Sequence, residues 1–192
     1  MPLSQFDKMW AFHLAVGVVL NIASAQWAKR RAHKELGKRV ASALPDILHM
    51  TFPIIPFSSP DVFLFVSFAA LIFSDVYENA AHMWALQTSV YVRAATMHLT
   101  LMPTCVPKAS SASSGLYAKF FHSTHDLMFS GHTLCFLYIG GCLQAPFVSV
   151  CGPLMLVAAR QHYTIDVCVA ALVYHYAYMF YSIELGKNYI LL

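Results

Sequence analysis

Long apolar segments, separated by short polar turns, constrain the fold of this chain more than any other feature. The first segment, residues 9–27, is about 19 residues long, which is enough for an α-helix to cross the hydrocarbon layer of a bilayer. It lacks the small-residue cleavage site of a secretory signal, so we interpret it as a retained span. Only 11% of the residues are charged, about half the share in a soluble domain. The sequence therefore predicts a protein embedded in a membrane.

Six apolar segments can be placed along the chain. They cover residues 9–27, 59–79, 83–102, 130–145, 147–159 and 163–185. The second begins at "SSPD", where Ser59 can cap a helix, Pro60 suits the first turn and Asp61 favours the positive helix end. We expect an all-α fold, a polytopic membrane protein whose six transmembrane helices form one bundle, in a single membrane domain over residues 1–192.

The first connection contains two distinct stretches. "KRRAHKELGKR", residues 29–39, predicts a solvated basic loop or a surface that attracts anionic head groups. The apolar stretch that follows is interrupted by Pro45, Pro53 and Pro56, which favours a surface-lying or re-entrant segment over a crossing. Six crossings place the loops after spans one, three and five on one side of the membrane. We therefore expect "LPD", "HDLMFSGHT" and "RQHYTID" to face the same compartment.

Two of these stretches carry residue types suited to catalysis. In "HYTID", His162 and Asp166 are four residues apart, so on a helix they share one face and can touch. A carboxylate bonded to one imidazole nitrogen fixes the tautomer and leaves the other nitrogen as a nucleophile or base. In "FSGHT", Ser130 can cap the fourth helix, Gly131 lets the backbone approach a ligand, and free N–H groups beside His132 can bind an anion. Either stretch alone is also compatible with a purely structural role.

Together the two stretches place two histidines, a carboxylate and Arg160 at one membrane face. Ionisable groups at span ends are costly, so this convergence indicates a function, and phosphate chemistry is the natural one. An arginine and a helix end bind the oxygens, one histidine attacks phosphorus, and the other protonates the leaving alkoxide. Arg93, within the third span, needs an anionic partner, for which a phosphate is one candidate and Asp75 or Glu78 the structural alternative.

The combination of "SGHT" and "HYTIDV" resembles the sphingomyelin synthase family, which is related to the type 2 phosphatidic acid phosphatases. The family's C-G-D-x-x-x-S-G-H-T motif is matched over residues 126–133, from Asp126 onward, and its H-Y-T-x-D-V motif is matched in full over residues 162–167. Upstream, "ALPD" is similar to the family's P-L-P-D, and "YVRAATM", which begins at Tyr91, is similar to its Y-x-R-x-x-T-M segment. The motif-bearing part extends over about residues 43–185.

The resemblance implies a lipid phospho-head-group transferase with a triad of His132, His162 and Asp166. His162, activated by Asp166, would attack the phosphorus of a phospholipid, releasing diacylglycerol. His132 would protonate that leaving group and then deprotonate the acceptor, ceramide or diacylglycerol. We expect the remaining motif and basic residues to bind phosphate or substrate: Asp126, Ser130, Gly131, Arg160, Arg93 and Tyr91.

The same resemblance implies that neither a metal nor a cofactor is required. The expected partners are a phospholipid donor and a ceramide or diacylglycerol acceptor, with no nucleic acid. The expected location is an endomembrane, of the Golgi or endoplasmic reticulum, or the plasma membrane.

Three other functions stay open at the level of sequence. A lipid phosphate phosphatase would use the same residues with water as acceptor, although its signature places an arginine six residues before the histidine and Arg160 is two before His162. A haem-binding protein could draw axial ligands from the ten histidines, but no two pairs occupy matched depths on facing helices. A non-catalytic lipid-binding relative would leave the triad without a purpose.

Overall fold

The computed structural model describes residues 5–35, 45–74, 79–99 and 129–190, and within these ranges every regular element is an α-helix. The all-α class predicted from the sequence is confirmed. The seven helices within these described ranges are α1 (Gln5–Glu35), α2 (Ile47–Thr51), α3 (Ser59–Ile72), α4 (Ala80–Leu99), α5 (Gly131–Cys142), α6 (Pro146–Ala158) and α7 (Thr164–Ile190).

The length and composition of the helices bear on the membrane prediction. Among the described residues, one stretch, Lys8–Ala28 of α1, is long and apolar enough to cross a bilayer, and 11% of its apolar window is buried inside the structure. A signal sequence near the N terminus, or the buried core helix of a soluble protein, meets the same criteria of length and composition. Helices α3 and α6 are apolar but have only 14 and 13 residues. At 1.5 Å per residue they are about 20 Å long, against about 30 Å for the hydrocarbon layer.

Helix α5 lies at the centre of the packing. On one side it packs against α3 and α6, and on the other against α4 and α7, while α1 packs along the outer face of α4. The first apolar core contains Leu71, Phe136, Ile139, Cys142, Val148 and Leu156. The second contains Ala85, Leu86, Phe129, Leu134, Ala170 and Tyr174. Because α5 contributes to both cores, the start of α5 is held rigidly with respect to four neighbouring helices.

The outer surface of the described helices is strongly apolar. Large side chains that are more than half exposed occur on α1, α3, α6 and α7, among them Phe12, Val19, Phe65, Phe147 and Tyr176. Monomeric soluble proteins rarely expose apolar surface on this scale, and such surfaces mark contacts with a membrane or another protein.

The structure corrects several predicted helix ends. The second span was predicted to run from Ser59 to residue 79, but its N-cap is Ser58 and α3 ends at Ile72. It ends there because the backbone N–H and the hydroxyl of Ser74 both donate to the Leu71 carbonyl and close the turn. Residues 75–78, with Asp75 and Glu78, lie outside the described ranges. The positions of Pro60 and Asp61 in the first turn are confirmed.

Two further boundaries also differ from prediction. Helix α4 begins three residues earlier than expected, at Ala80, because the Asn79 side chain accepts a hydrogen bond from the His82 N–H (3.3 Å) and caps the helix. The prediction of a basic loop over residues 29–39 is wrong in its first part, since α1 continues as a helix through Glu35. Six of the seven residues 29–35 are Ala, Lys, Arg or Glu, which are strong helix formers. Residues 36–39 lie outside the described ranges.

The ends of α5 and α6 share an unusual turn in which a residue other than glycine adopts the left-handed conformation. Gln144 has φ of 51° and Arg160 has φ of 59°. In each turn the left-handed residue and the one after it donate backbone hydrogen bonds to the preceding helix, which is the Schellman arrangement: Gln144 and Ala145 to Gly141 and Gly140, and Arg160 and Gln161 to Val157 and Leu156. The second of these turns reverses the chain and brings the segment after α6 back toward the start of α5.

We expect Gln144→Gly to raise the free energy of unfolding by up to about 1 kcal/mol. Glycine adopts the left-handed conformation without steric strain, and this gain exceeds the cost of the greater conformational entropy that glycine gives the unfolded chain. Arg160→Gly, with nearly the same φ, should instead destabilise, since the Arg160 side chain hydrogen-bonds to the carbonyls of His49 and Phe52. Thermal unfolding of the purified protein, followed by circular dichroism, measures both. An equal gain in both variants would contradict the prediction.

Candidate active site

The candidate site lies where three helices begin. His132 is the second residue of α5, Asp61 lies in the first turn of α3, and Asp166 lies in the first turn of α7, just after His162. The segment around α2 packs against the same end of the bundle, through contacts with α6 and α7. The structure thus brings together the described parts of the three loop stretches that the six-span prediction placed in one compartment.

His162 and Asp166 are in contact. Nδ1 of His162 lies 3.4 Å from Oδ2 of Asp166, whose side chain is fully buried. The sequence argument placed both on one helix face, but α7 begins at Thr164 and His162 precedes it. The contact arises instead because Asp166 folds back over the helix start, where Oδ2 also accepts the Tyr163 N–H at 2.9 Å. The arrangement leaves Nε2 of His162 as the ring nitrogen available for attack.

The His162 ring is held close to Asp166 without an ideal hydrogen bond. A separation of 3.4 Å exceeds the usual range for N–H···O bonds, and Nδ1 is a buried atom that makes no hydrogen bond to a described residue. Buried polar atoms in folded proteins are almost always satisfied, and the exceptions include catalytic groups. Contacts of this kind in ligand-free active sites often shorten when substrate binds.

The second histidine has its own carboxylate, which sequence reasoning missed. Nε2 of His132 lies 3.4 Å from Oδ1 of Asp61, and both side chains are less than one-fifth exposed. The Gln161 amide donates to Oδ2 of Asp61 (3.5 Å) and to the Phe57 carbonyl (2.6 Å). The sequence assigned Asp61 only to the start of a helix. Spacing along the chain gives no sign that a residue so far upstream lies beside His132.

The two histidine rings lie close together and are tilted relative to each other. Their centroids are 6.3 Å apart and their planes are inclined by 56°. Each ring has a carboxylate on another side, Asp61 for His132 and Asp166 for His162. The two predicted catalytic histidines are therefore neighbours in the structure.

The start of α5 matches the predicted cap. Ser130 is the N-cap, and its buried hydroxyl accepts the Thr133 N–H at 3.2 Å, which confirms the sequence prediction. The Ser130 N–H donates to the Asp166 carbonyl at 3.4 Å, so the starts of α5 and α7 are tied together. At Gly131, a Cβ would lie 3.2 Å from Nε of Arg93. The glycine thus permits the close approach of the protein's own arginine to the helix start.

Arg93 is directed at this end of α5 from the middle of the bundle. Its Nε donates to the Phe129 carbonyl at 2.9 Å, and its Nη1 donates to Oδ1 of Asn21 at 2.6 Å. Next to the positive end of α5, the guanidinium adds a second source of positive potential. The structure therefore brings the Arg93 guanidinium to the start of the helix that carries His132.

Two other predicted binding residues, Arg160 and Tyr91, are not brought to the histidines. The Arg160 guanidinium donates to the carbonyls of His49 and Phe52, the latter at 3.3 Å, at the C-terminal end of α2. The helix dipole favours a cation at that position, which explains why the Arg160 side chain points away from the histidines. The Tyr91 hydroxyl donates to the His13 carbonyl on α1 at 3.2 Å. Asp126 lies outside the described residues.

Asp46, within the "ALPD" motif, holds α2 against the start of α7. Its carboxylate caps α2 through the N–H groups of Leu48 and His49, and it accepts both the N–H and the hydroxyl of Thr164 at 2.6 Å. Burial raises the pKa of Asp46, but the hydrogen bonds from Thr164 and His49 outweigh it and leave that pKa below its ordinary value. His49 is itself hydrogen-bonded through Nε2 to the His162 carbonyl at 3.0 Å. The α2 segment therefore stabilises the backbone position of His162, the candidate nucleophile.

A depressed carboxyl pKa contributes stability that is present above the unfolded pKa, about 4, and is lost as the pH falls through the folded value. We expect Asp46→Ala, which removes caps from two helices, to lower the free energy of unfolding by about 2 kcal/mol at pH 7. The difference from the wild type should shrink at pH 3, as measured by thermal unfolding at both values. A difference that is the same at pH 3 and pH 7 would contradict this role.

Two further observations concern what the site could bind, a metal ion or an apolar group. Among the described residues, no group of three or more His, Cys, Asp and Glu side chains converges closely enough to hold a metal ion. A largely apolar groove of about 320 Å³ lies between α2 and the first turns of α7. Its lining residues are Pro45, Asp46, Ile47, Tyr163, Thr164, Ile165 and Cys168.

Comparison of the sequence with known families and curated proteins identified no relative. The chain matches no known family model, and no curated protein matches it at a significant level. The resemblance to the sphingomyelin synthases therefore rests on the four sequence motifs.

Proposed function

We propose that this chain is an integral membrane enzyme that transfers a phospho-head group, such as phosphocholine, from a phospholipid to ceramide or diacylglycerol. The observation that carries the proposal is the pair of histidines, each beside a carboxylate, whose ring centroids lie 6.3 Å apart where α5 and α7 begin. Double displacement at phosphorus needs a nucleophile on one side and a proton donor on the other, and these residues supply both.

The first half-reaction forms a phosphohistidine. Nε2 of His162 attacks the phosphorus while Asp166 stabilises the positive charge that develops on the ring. The bond between phosphorus and the glycerol oxygen breaks, and His132 gives its proton to that oxygen, so diacylglycerol leaves as a neutral alcohol. Arg93 and the N–H groups at the start of α5 compensate the charge on the non-bridging oxygens.

The second half-reaction returns the enzyme to its starting state. His132, now neutral, accepts the proton of the acceptor hydroxyl, and the acceptor oxygen attacks phosphorus. The bond between phosphorus and Nε2 of His162 breaks. The head group is then attached to ceramide or diacylglycerol, and His132 is protonated again, held in place by Asp61.

Six crossings in one bundle remain our proposal for the topology. The apolar exposed surface of α1, α3, α6 and α7 supports it, because lipid tails would cover that surface. The gathering of "LPD", the start of α5 and the start of α7 at one end supports it as well, because an even number of crossings separates these segments in the predicted order. The short helices α3, α5 and α6 require flanking residues or local thinning of the bilayer.

The test is to reconstitute the protein into vesicles with mixed phospholipid donors, adding fluorescent ceramide to one preparation and fluorescent diacylglycerol to another. A new polar fluorescent lipid supports the proposal, and its mass names the head group and the acceptor. Release of inorganic phosphate without a fluorescent product would assign the site to a lipid phosphatase, and release of a phospho-alcohol would assign it to a phospholipase that transfers the head group to water. The absence of all three products, in protein with a cooperative unfolding transition, would overturn the catalytic proposal.

A further inference from the structure

Helix α1 is joined to α4 by polar contacts along its length. The Trp10 indole donates to the Met83 carbonyl at 3.1 Å, and Ser24 Oγ lies 3.0 Å from Nε2 of His98. Between them, the Asn21 side chain faces α4. Hydrogen bonds and small residues, rather than apolar side chains, commonly join helices inside membranes, where lipid tails are as apolar as leucine.

Both the nitrogen and the oxygen of the Asn21 side-chain amide make hydrogen bonds. Nδ2 donates to the carbonyls of Gly17 (2.9 Å) and Val90 (2.8 Å), and Oδ1 accepts Nη1 of Arg93 at 2.6 Å. Carbonyl oxygens only accept and a guanidinium only donates, so the amide can take just one orientation, with its oxygen toward Arg93. The two carbonyls therefore fix the direction in which Asn21 holds the arginine.

The same guanidinium reaches the candidate active site. Nε of Arg93 donates to the carbonyl of Phe129, a fully buried residue that directly precedes the N-cap Ser130. The same edge of the guanidinium lies against Gly131, where a Cβ would be 3.2 Å from Nε. A continuous set of contacts thus runs from Asn21 on α1, through Arg93 on α4, to the start of α5.

We infer that Asn21 is a positioning residue that holds the Arg93 guanidinium against the start of α5, where it binds the phosphate of the substrate. This inference rests on the proposed function. A carboxylate in place of Asn21 would also orient the arginine, but it would cancel the charge that an anionic substrate needs. An amide and a backbone carbonyl orient the guanidinium without adding negative charge.

The first test compares Asn21→Ala with Ser24→Ala. Ser24 lies one turn further along α1, also bonds to α4, and does not contact Arg93 in the contacts described, so it is a matched control. Loss of a hydrogen bond to a charged group predicts that Asn21→Ala lowers kcat/KM for the phospholipid donor by about tenfold or more, mainly through KM. Ser24→Ala should stay within about twofold of wild type. Equal effects of the two substitutions would overturn the inference.

A double-mutant cycle separates positioning from general destabilisation. Arg93→Lys keeps the charge but removes the planar fork that meets both Asn21 and Phe129. If Asn21 acts through Arg93, adding Asn21→Ala to Arg93→Lys should change kcat/KM by less than about twofold. Additive losses would show that Asn21 acts elsewhere and would overturn the inference, even though the transferase proposal would stand.

Binding of inorganic phosphate decides the inference if the wild type shows no turnover. In that case phosphate should still raise the thermal unfolding temperature of the wild type and of Ser24→Ala, but not that of Asn21→Ala. That pattern would support the positioning role while the transferase proposal fails. An inactive wild type with no phosphate-dependent shift, or with the same shift in Asn21→Ala, would overturn the inference.

Discussion

His162→Ala should abolish head-group transfer, lowering kcat by on the order of 10⁴-fold or more, because it removes the atom that bonds to phosphorus. The measurement is formation of the labelled lipid in reconstituted vesicles. His175→Ala is the matched control, since His175 is an exposed residue on the same helix α7, and it should leave the rate unchanged. Residual activity in His162→Ala within tenfold of wild type would exclude His162 as the nucleophile.

A donor with an acidic leaving group separates the roles of the two histidines. Nitrophenyl phosphocholine needs no proton on its departing oxygen, so His132→Ala should still release nitrophenolate in a burst while His162→Ala should not. The phosphorylated His162 should then accumulate in His132→Ala, because no base remains to activate the acceptor. Loss of the burst in both variants would contradict the assignment of His132 as the proton donor.

Asp61→Asn should lower kcat for a natural phospholipid by about 10²-fold, because the carboxylate that orients and stabilises the His132 imidazolium is lost. The nitrophenyl donor distinguishes this effect from a general defect: its burst should persist in Asp61→Asn, because the substitution affects proton transfer by His132 and not the attack by His162. Asp166→Asn is the matched comparison, and it should lose both activities because Asp166 serves the nucleophile.

Two results would contradict the role assigned to Asp61. If Asp61→Asn reduces the burst with the nitrophenyl donor as much as it reduces turnover of the phospholipid, Asp61 maintains the structure of the whole site and does not serve His132 specifically. A loss of less than threefold with the natural donor would mean that the contact with His132 is incidental.

What the sequence predicted well depends on local chemistry. The Ser130 cap follows from the residue type at a helix start, and the contact between His162 and Asp166 follows from a spacing of four, although a capping turn and not a helix face produces it. The all-α class follows from apolar segments of helical length. These features are settled within a few residues of the chain, where spacing constrains geometry.

What the sequence did not predict depends on contacts between distant segments. Asp61 meets His132, and Asn21 meets Arg93, only because α3 and α1 pack where they do, and no spacing along the chain encodes either contact. Arg160 was expected at the phosphate because it adjoins the motif, yet its left-handed backbone and the carbonyls of α2 turn it away. The sequence shows that a charged side chain lies near a motif, but the packing of the helices decides where that side chain points.

The short helices at the site affect how a lipid would reach it. In the proposed topology α3, α5 and α6, each about 20 Å long, leave the histidines near the level of the ester and phosphate groups of neighbouring lipids. A phospholipid can then react while its acyl chains stay in the leaflet, which avoids about 0.8 kcal/mol for each methylene that would otherwise enter water. Encounter becomes lateral diffusion in two dimensions, so the rate should follow the mole fraction of donor in the leaflet and be unaffected by the total amount of vesicle lipid.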